Sequence, residues 1–181
     1  MAIKIRTDKN APTGLYDSKF FGEIPLDERL IKSGYFSPTD VFLCALDLAE
    51  LSRFDGAAVL PKNGMLLFFV DPETAPASAK VVYVDNADAY VCFNEDSDCG
   101  YEVEDPVAIT FSAGEEGTCC LVKDDKVKDG ETCLLRFRTC EFEEVDFLCD
   151  VRGSLYFIAR TADILRGDFS ETQLYFVEKN G

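Results

Sequence analysis

The sequence contains no histidine and no tryptophan. Without histidine the chain has no Ser-His-Asp or Cys-His catalytic group, no histidine-ligated metal and no imidazole that titrates near neutral pH. It also has no Gly-x-Gly-x-x-Gly, no Gly-Lys-Ser/Thr and no Gly-x-Ser-x-Gly motif. These absences exclude the common nucleotide-binding and serine-hydrolase classes, and we expect no cofactor.

Basic residues are scarce, with 18 Lys and Arg against 34 Asp and Glu, so the formal net charge is −16. Such a charge disfavours nucleic acid and anionic membranes, which bind proteins largely through their phosphate groups. No basic residue occurs in 81–122, and ten acidic residues lie within 85–116. This acidic segment, residues 85–116, is interpreted either as a solvated loop face or as a surface for a basic protein, such as a toxin. Its candidate binding residues are Glu95, Asp96 and Asp98.

Long apolar runs are also missing. The longest, Met65–Val70, has six residues, whereas a membrane-spanning helix needs about 20. The first residues, which include Lys4, Arg6 and Lys9, are too polar for a signal peptide. We therefore expect a cytoplasmic protein that does not bind membranes, and the sequence predicts no oligomeric state.

The eight cysteines are compatible with a disulfide framework, but the missing export signal favours free thiols that pack as small hydrophobic side chains. No Cys-x-x-Cys pair exists, and the remaining spacings do not match zinc-binding motifs. The acidic run Asn94–Gly100 alternates oxygen ligands as a calcium loop does, but its glycine comes one position late and no predicted helix flanks it. We expect no disulfide and no bound metal.

Short apolar runs rich in Val, Phe, Tyr and Leu, separated by turn residues, dominate the chain. They predict a mainly β fold, a β-rich α+β class with a few short helices. The predicted strands lie near residues 2–6, 41–46, 65–70, 80–84, 90–93, 107–112, 118–122, 132–138, 154–159 and 172–178.

Three short helical segments are predicted. One covers residues 26–33 and ends at Gly34, and a second covers Leu48–Arg53. The third covers Thr161–Arg166, with Thr161 as its N-cap and Gly167 as its left-handed terminating residue. The polar stretch Lys123–Glu131 is expected to be a hairpin loop.

Two segments, Gly64–Val70 and Gly153–Ala159, share a Gly-x-Leu-x-Phe pattern, and an apolar strand precedes each. Two related half-sheets, about 18–84 and 118–178, within a single domain of residues 1–181 explain this similarity. Chance explains it as well, because strands favour Leu and aromatic residues. The strand period of two predicts four residues that face the core and two, Leu67 and Tyr156, that face the other way. The four core residues are Leu66, Phe68, Leu155 and Phe157.

Several segments together resemble the YwqG-like family, a bacterial domain family of unknown function. Ser18–Gly22 followed by Pro25 is similar to the family's Ser-Lys-x-Gly-Gly-x-Pro. Phe42–Leu51 resembles its Leu-Ala-Gln-Ile-Asn/Asp-Leu-x-Glu-Leu, and Leu60–Phe69 its Leu-Pro-Lys-x-Gly-x-Leu-x-Phe-Phe. Cys149–Ile158 is similar to Gly-Asp-x-Gly-x-Leu-Tyr-Phe-Phe-Ile. The Asp-Leu and Asp-Phe-Ser that close the family domain resemble Asp163–Leu165 and Gly167–Ser170.

The chain departs from the family pattern at several positions. Phe21 replaces a glycine, Ala45 a glutamine, and Leu148 and Cys149 a Trp-Gly pair, while one extra residue separates Asp150 from Gly153. The resemblance implies a roll-like fold of curved mixed sheets, and it supplies no catalytic residues. Some members of the family are encoded beside secreted toxin systems, which implies an immunity or partner-binding role.

Two hypotheses follow. In the first, the protein is a non-catalytic protein-binding module, of the immunity or antitoxin type. In the second, it is a small-molecule-binding or enzymatic domain with a pocket between curved sheets, whose polar groups are Asp47, Asp150 and Arg152. A deep pocket lined by these three residues favours the second hypothesis, and a flat acidic face favours the first.

Overall fold

The computed structural model describes residues 2–74, 78–85, 91–93 and 104–179. Within these ranges the fold is mainly β, as the sequence predicts. The strands are β1 (Ile3–Asp8), β2 (Lys19–Phe20), β3 (Ile24–Leu26), β4 (Val41–Asp47), β5 (Met65–Asp71), β6 (Ser78–Val84), β7 (Val91–Phe93), β8 (Val107–Ala113), β9 (Cys119–Cys120), β10 (Glu131–Arg138), β11 (Gly153–Arg160) and β12 (Gln173–Glu178). The helices are α1 (Glu28–Lys32), α2 (Leu48–Leu51) and α3 (Thr161–Ile164), and a 3-10 turn covers Asp55–Val59.

Ten of these strands form one curved sheet in the order β12-β11-β10-β9-β1-β8-β2-β4-β5-β6, while β3 pairs with β7. Every pairing among the described strands is antiparallel. The prediction of mixed sheets is therefore wrong. The strands β4, β5 and β6 form one antiparallel meander and β10, β11 and β12 a second, because each connection returns the chain beside the strand it has just left. Parallel pairing needs longer crossovers, usually through a helix.

The sheet curls until it is nearly closed. The ring of Tyr83 in the edge strand β6 lies 5.8 Å from that of Phe169, just before the opposite edge strand β12. Inside the curl, Phe68 and Phe157 meet edge to face at 5.1 Å between ring centroids. Both rings are fully buried, as are Leu66 and Leu155 to within 1% exposure. The prediction that these four residues face the core is confirmed.

The outer face of the first meander carries a second apolar cluster. Leu67 packs there with Ala45 and Met65, and the cluster includes Ile24 and Leu26 of β3. The segment from β3 through α1 therefore covers this face, as the apolar character of Leu67 predicts. β2 and β3 are the strands that the sequence pattern did not predict.

The short helices lie where they were expected, with one correction. Asp27 and Asp47 cap α1 and α2 through their side chains, and Gly34 and Gly167 adopt positive φ angles of 74°. Thr161, however, is not an N-cap, because it is the first residue of α3 and Arg160 occupies the N-cap position without a side-chain capping hydrogen bond. The Thr161 hydroxyl is instead 2.8 Å from that of Thr132, so the neighbouring strand β10 takes the side chain that the pattern assigned to the helix. No helix among the described residues is long and apolar enough to cross a membrane.

Candidate functional site

A groove with a volume of about 1060 Å³ lies on the outer face of the second meander, at the end where β10 stops and β11 begins. Four acidic and four basic side chains line it, together with seven uncharged residues. The charged residues are Glu115, Glu116, Glu141 and Glu178, and Arg136, Arg138, Arg152 and Lys179. The groove is thus balanced in charge on a protein whose net charge is −16.

The two meanders share a backbone irregularity that allows their outer faces to be compared. A β-bulge interrupts β4 between Phe42 and Cys44, and a second interrupts β10 between Cys133 and Leu135. Each bulge turns two successive residues inward, so the next residue in either strand faces outward. The strands β4 and β10 can therefore be aligned residue by residue, with their two bulges superimposed.

The aligned outward positions differ in chemistry. After the bulge in β4 comes Ala45, which is paired with Leu67 of β5, and both lie in the covered apolar cluster. After the bulge in β10 comes Arg136, which is paired with Tyr156 of β11, and both line the groove. The segment that follows β2 covers the first outer face. On the second face Tyr156 is buried and the segment after β9 contacts the pair through Asp124, so the exposed part of the groove lies further along, at Arg138.

Arg136 is held in place by the groove wall. Its Nε donates to the carbonyl of Gly117 at 3.0 Å, and one Nη donates to the carbonyl of Glu115 at 2.5 Å. Its other Nη lies 3.6 Å from the carboxylate of Asp124, which also accepts from the Tyr156 hydroxyl at 3.0 Å. Burial, followed by this hydrogen bond to Asp124, raises the pKa of Tyr156. Tyr156 is therefore a neutral donor, and Arg136 supports the wall between β9 and β10.

The Glu141 carboxylate ties the end of β10 to β9. It accepts from the backbone N–H of Thr118 at 2.5 Å and from the Thr118 hydroxyl at 2.7 Å. The same hydroxyl accepts from the backbone N–H of Arg138 at 3.0 Å. Gly117 is required beside this clamp, because its φ is +78° and a Cβ there would lie 2.0 Å from a carboxylate oxygen of Glu141.

The first meander repeats the clamp with different residues. The Ser18 hydroxyl donates to the Glu50 carboxylate at 2.8 Å and accepts from the backbone N–H of Asp47 at 2.8 Å. Both clamps thus join a hydroxyl before the short strand to a glutamate three residues after the end of the long one. We infer that they hold the corners of the sheet.

Three cations of the groove contrast with Arg136. Arg138, Arg152 and Lys179 are exposed, and their side chains make no ion pair with any residue in the part of the chain that the structure describes. The backbone N–H of Lys179 donates to the Arg152 carbonyl at 3.0 Å, which brings two of the three segments together. An unpaired guanidinium keeps its full set of donors for an external carboxylate.

The residues predicted as polar site groups are distributed over the molecule. Arg152 lines the groove, whereas Asp150 is exposed in the preceding turn and is not among the lining residues. Asp47 lies in the other meander, where its carboxylate accepts from the backbone N–H of Ala49 at 2.8 Å and caps α2. The structure therefore does not place these three side chains around one pocket. Glu95, Asp96 and Asp98 lie outside the described residues.

Six of the cysteines whose side chains the structure describes are free thiols, and the described residues hold no group of acidic and cysteine side chains suited to a metal ion. The predicted calcium-like run Asn94–Gly100 lies outside them. Cys119 is buried beside Arg136, whose guanidinium lies 3.8 Å from the sulfur. Burial nevertheless raises the pKa of Cys119, which favours the neutral thiol over the reactive thiolate.

Sequence reasoning missed most of the groove, although one signal for it was present. Arg136 and Arg138 alternate with Leu135 and Phe137 in a strand that is otherwise apolar toward its centre. This spacing places both guanidinium groups on one face of β10. The contribution of Glu141 and Lys179 depends on contacts distant in sequence, and no local pattern marks it.

No protein-family model matches the chain. A comparison with curated proteins likewise finds no match. The resemblance to the YwqG-like family therefore stays a prediction based on the motifs quoted above.

Proposed function

We propose that this protein is a non-catalytic protein-binding module and that the groove on β10–β12 is its docking surface. The observation that supports this proposal is the difference between the two outer faces. The face of the first meander is apolar and covered by the chain itself, whereas the second leaves the guanidinium groups of Arg138 and Arg152 exposed at its groove end. Exposed charged groups arranged along an open groove are suited to a polar segment of another protein.

The composition of the groove favours a protein segment over a small molecule. Small-molecule pockets are mainly apolar and enclose most of their ligand, with volumes of about 300–1,000 Å³. This groove slightly exceeds that range, and eight of its fifteen lining residues are charged. The small-molecule alternative also placed Asp47, Asp150 and Arg152 around one pocket, and of these only Arg152 lines the groove.

The partner segment that fits the groove carries acidic side chains. Arg138 and Arg152 are exposed and have no acidic partner within the described ranges, and arginine binds carboxylates through two parallel hydrogen bonds. The neighbouring Glu115, Glu116 and Glu178 favour basic residues on the same partner. A segment of mixed charge therefore complements this surface.

The acidic segment, residues 85–116, supports a second contact with a partner that is basic overall. A one-signed field of this kind accelerates association with an oppositely charged protein and is screened by salt. Reversal of Glu95, Asp96 and Asp98 to lysine is expected to slow association without changing the fold. The immunity role that the YwqG-like resemblance implies is a specific form of this proposal, set in the cytoplasm with a toxin as the partner.

The test measures binding to the proteins encoded by the adjacent genes, using biolayer interferometry. Three forms are compared: the wild type, the double variant Arg138→Glu with Arg152→Glu, and the control Arg53→Glu with Lys62→Glu. The control changes the net charge equally at two exposed positions outside the groove. We expect the groove variant to lose at least about tenfold in affinity, since truncating a buried interfacial charge pair costs about 2–5 kcal/mol, and the control to lose little.

Two results would contradict the proposal. If a partner binds all three forms equally, the groove is not the docking surface. If none of the neighbouring proteins binds the wild type, the partner-binding proposal loses its support, and the small-molecule alternative becomes the better one.

A further inference from the structure

Two cysteines lie next to each other in space at the rim of the groove. Cys140 follows β10 by two residues, is exposed and lines the groove. Its thiol donates to the carbonyl oxygen of Cys149 at 2.9 Å. The Cys149 thiol is partly exposed, and its sulfur lies 3.8 Å from the carbonyl oxygen of Val145. Nine positions apart in sequence, these residues are thus in direct contact.

Their backbone and electrostatic surroundings are consistent with close approach of the two thiols. Cys140 adopts a positive φ of 58°, a conformation that is uncommon for any residue other than glycine, and its thiol contacts the backbone of Cys149. Burial first, and then hydrogen bonds with the Cys140 thiol and Asp146, raise the pKa of Cys149. The two thiols therefore interact directly.

The other four cysteines whose side chains the structure describes are protected. Cys44, Cys119, Cys120 and Cys133 are fully buried. Burial raises the pKa of all four, and that of Cys133 rises to about 12. A thiol reacts as its thiolate and must be reached by the oxidant. Among the six described cysteines, only Cys140 and Cys149 meet the requirement for access.

We propose that Cys140 and Cys149 form a peroxide-sensitive modification site, which oxidation converts into one intramolecular disulfide. The thiolate of Cys140 attacks one oxygen of a hydroperoxide, the O–O bond breaks, and the leaving oxygen takes a proton. Cys140 is then a sulfenic acid. The thiolate of Cys149 attacks that sulfur, the S–O bond breaks, and the oxygen leaves as water with the second proton. With hydrogen peroxide, two thiols are oxidised and one peroxide is reduced to two waters.

The disulfide would also change the proposed docking surface. Cys140 lies two residues after Arg138, and Cys149 lies three residues before Arg152. A covalent link between them restrains the two segments that carry the unpaired guanidinium groups. This effect on binding rests on the proposed function, whereas the modification site itself does not.

The experiment treats the reduced full-length protein with hydrogen peroxide and measures its mass after alkylation. Trypsin cleaves after Arg138 and Arg152, so both thiols fall in the single peptide 139–152. We expect that peptide to lose about 2 Da and to escape alkylation, because a disulfide removes two hydrogens. Cleavage after Glu141, Glu143 and Glu144 should then give fragments that remain joined until a reductant is added.

Cysteine variants identify which two residues form the disulfide. The pair Cys92→Ser with Cys99→Ser should form the bond at the wild-type rate, whereas Cys140→Ser and Cys149→Ser should each leave one alkylated thiol in peptide 139–152. The proposal is overturned if both thiols of that peptide stay alkylatable after peroxide has oxidised other cysteines. It is also overturned if the bond links either residue to a different cysteine or to a second chain. Disulfide formation without any change in partner affinity would leave the site intact and contradict only its effect on binding.

Discussion

Substitution of Gly117 by alanine tests the clamp that holds the groove wall. The glycine has a φ of +78°, and an added Cβ would lie 2.0 Å from a Glu141 oxygen and 2.8 Å from its carboxyl carbon. Glu141 can move away only by giving up its hydrogen bonds to the Thr118 backbone and hydroxyl. The variant should therefore suffer both a backbone penalty and the loss of the clamp.

The magnitude of each contribution can be estimated separately. Alanine in the left-handed region costs about 1–2 kcal/mol. Hydrogen bonds to a charged group contribute about 1.5–3 kcal/mol each, and because Glu141 is partly exposed we count the pair as one such bond. The expected loss in the free energy of unfolding for Gly117→Ala is thus roughly 2.5–5 kcal/mol.

Gly130 provides a matched control. Its φ is +83°, but no heavy atom lies within 4 Å of an added Cβ. Gly130→Ala should therefore show the backbone penalty alone, about 1–2 kcal/mol. Urea unfolding followed by circular dichroism measures both variants, and a third measurement places Gly117→Ala in a Glu141→Ala background. There the cost of the alanine should fall to that of the control. Equal losses for Gly117→Ala and Gly130→Ala in the otherwise unchanged protein would refute the clamp.

Three further outcomes are expected. Phe157→Ala should lower the free energy of unfolding by about 3–5 kcal/mol, the range for a fully buried aromatic ring. Leu165→Ala, at a side chain that is 68% exposed, should lower it by under about 0.5 kcal/mol in the same urea assay. A small effect at Phe157 would show that the strand register is misassigned. The buried Cys133 thiol has a pKa of about 12 in the folded state, whereas in the unfolded chain it loses its proton above the ordinary cysteine pKa of about 9. The free energy of unfolding should therefore fall as pH rises from about 9 to 12, by about 1.4 kcal/mol per pH unit for this group. Cys133→Ala should remove this contribution to the pH dependence. Titration of the protein as isolated, under denaturing conditions and without reductant, should count eight thiols, and elemental analysis should find no equivalent of zinc; a count of six or fewer, or one equivalent of metal, would contradict this.

The sequence predicted the long strands because their local pattern and their environment agree. β5 and β11 carry alternating Leu and Phe that pack in the interior, and their bounds lie within a residue or two of the expected ones. The two-residue β2 and the three-residue β3, which contains Pro25, are too short for periodicity to identify. They are strands because long-range partners pair with them, and no local pattern carries that information.

The same distinction applies to the site. Arg152 and Asp47 were both predicted from the same motif resemblance. Arg152 lines the groove, whereas the structure shows Asp47 to be a helix cap. Capping is a local role that a side chain such as Asp readily takes at the end of a strand. The groove depends on which outer face the chain covers, and that is decided by the path of the connecting segments after β2 and β9. Thr161 illustrates the point on a smaller scale, since a hydroxyl suited to a cap binds Thr132 across the sheet instead.

The position of β1 in the sheet bears on how the chain is made. Its partners are β8 and β9, whose paired residues lie roughly a hundred positions further along the chain. At a synthesis rate of about 5–20 residues per second, the first strand waits on the order of 5–20 seconds for them. Ile3 and Ile5 are apolar, but Lys4 and Arg6 alternate with them, and charged residues of this kind discourage an unpaired strand from joining another chain. Nascent chains that stop before β8 is complete should therefore lack a closed sheet and depend on chaperones to avoid aggregation.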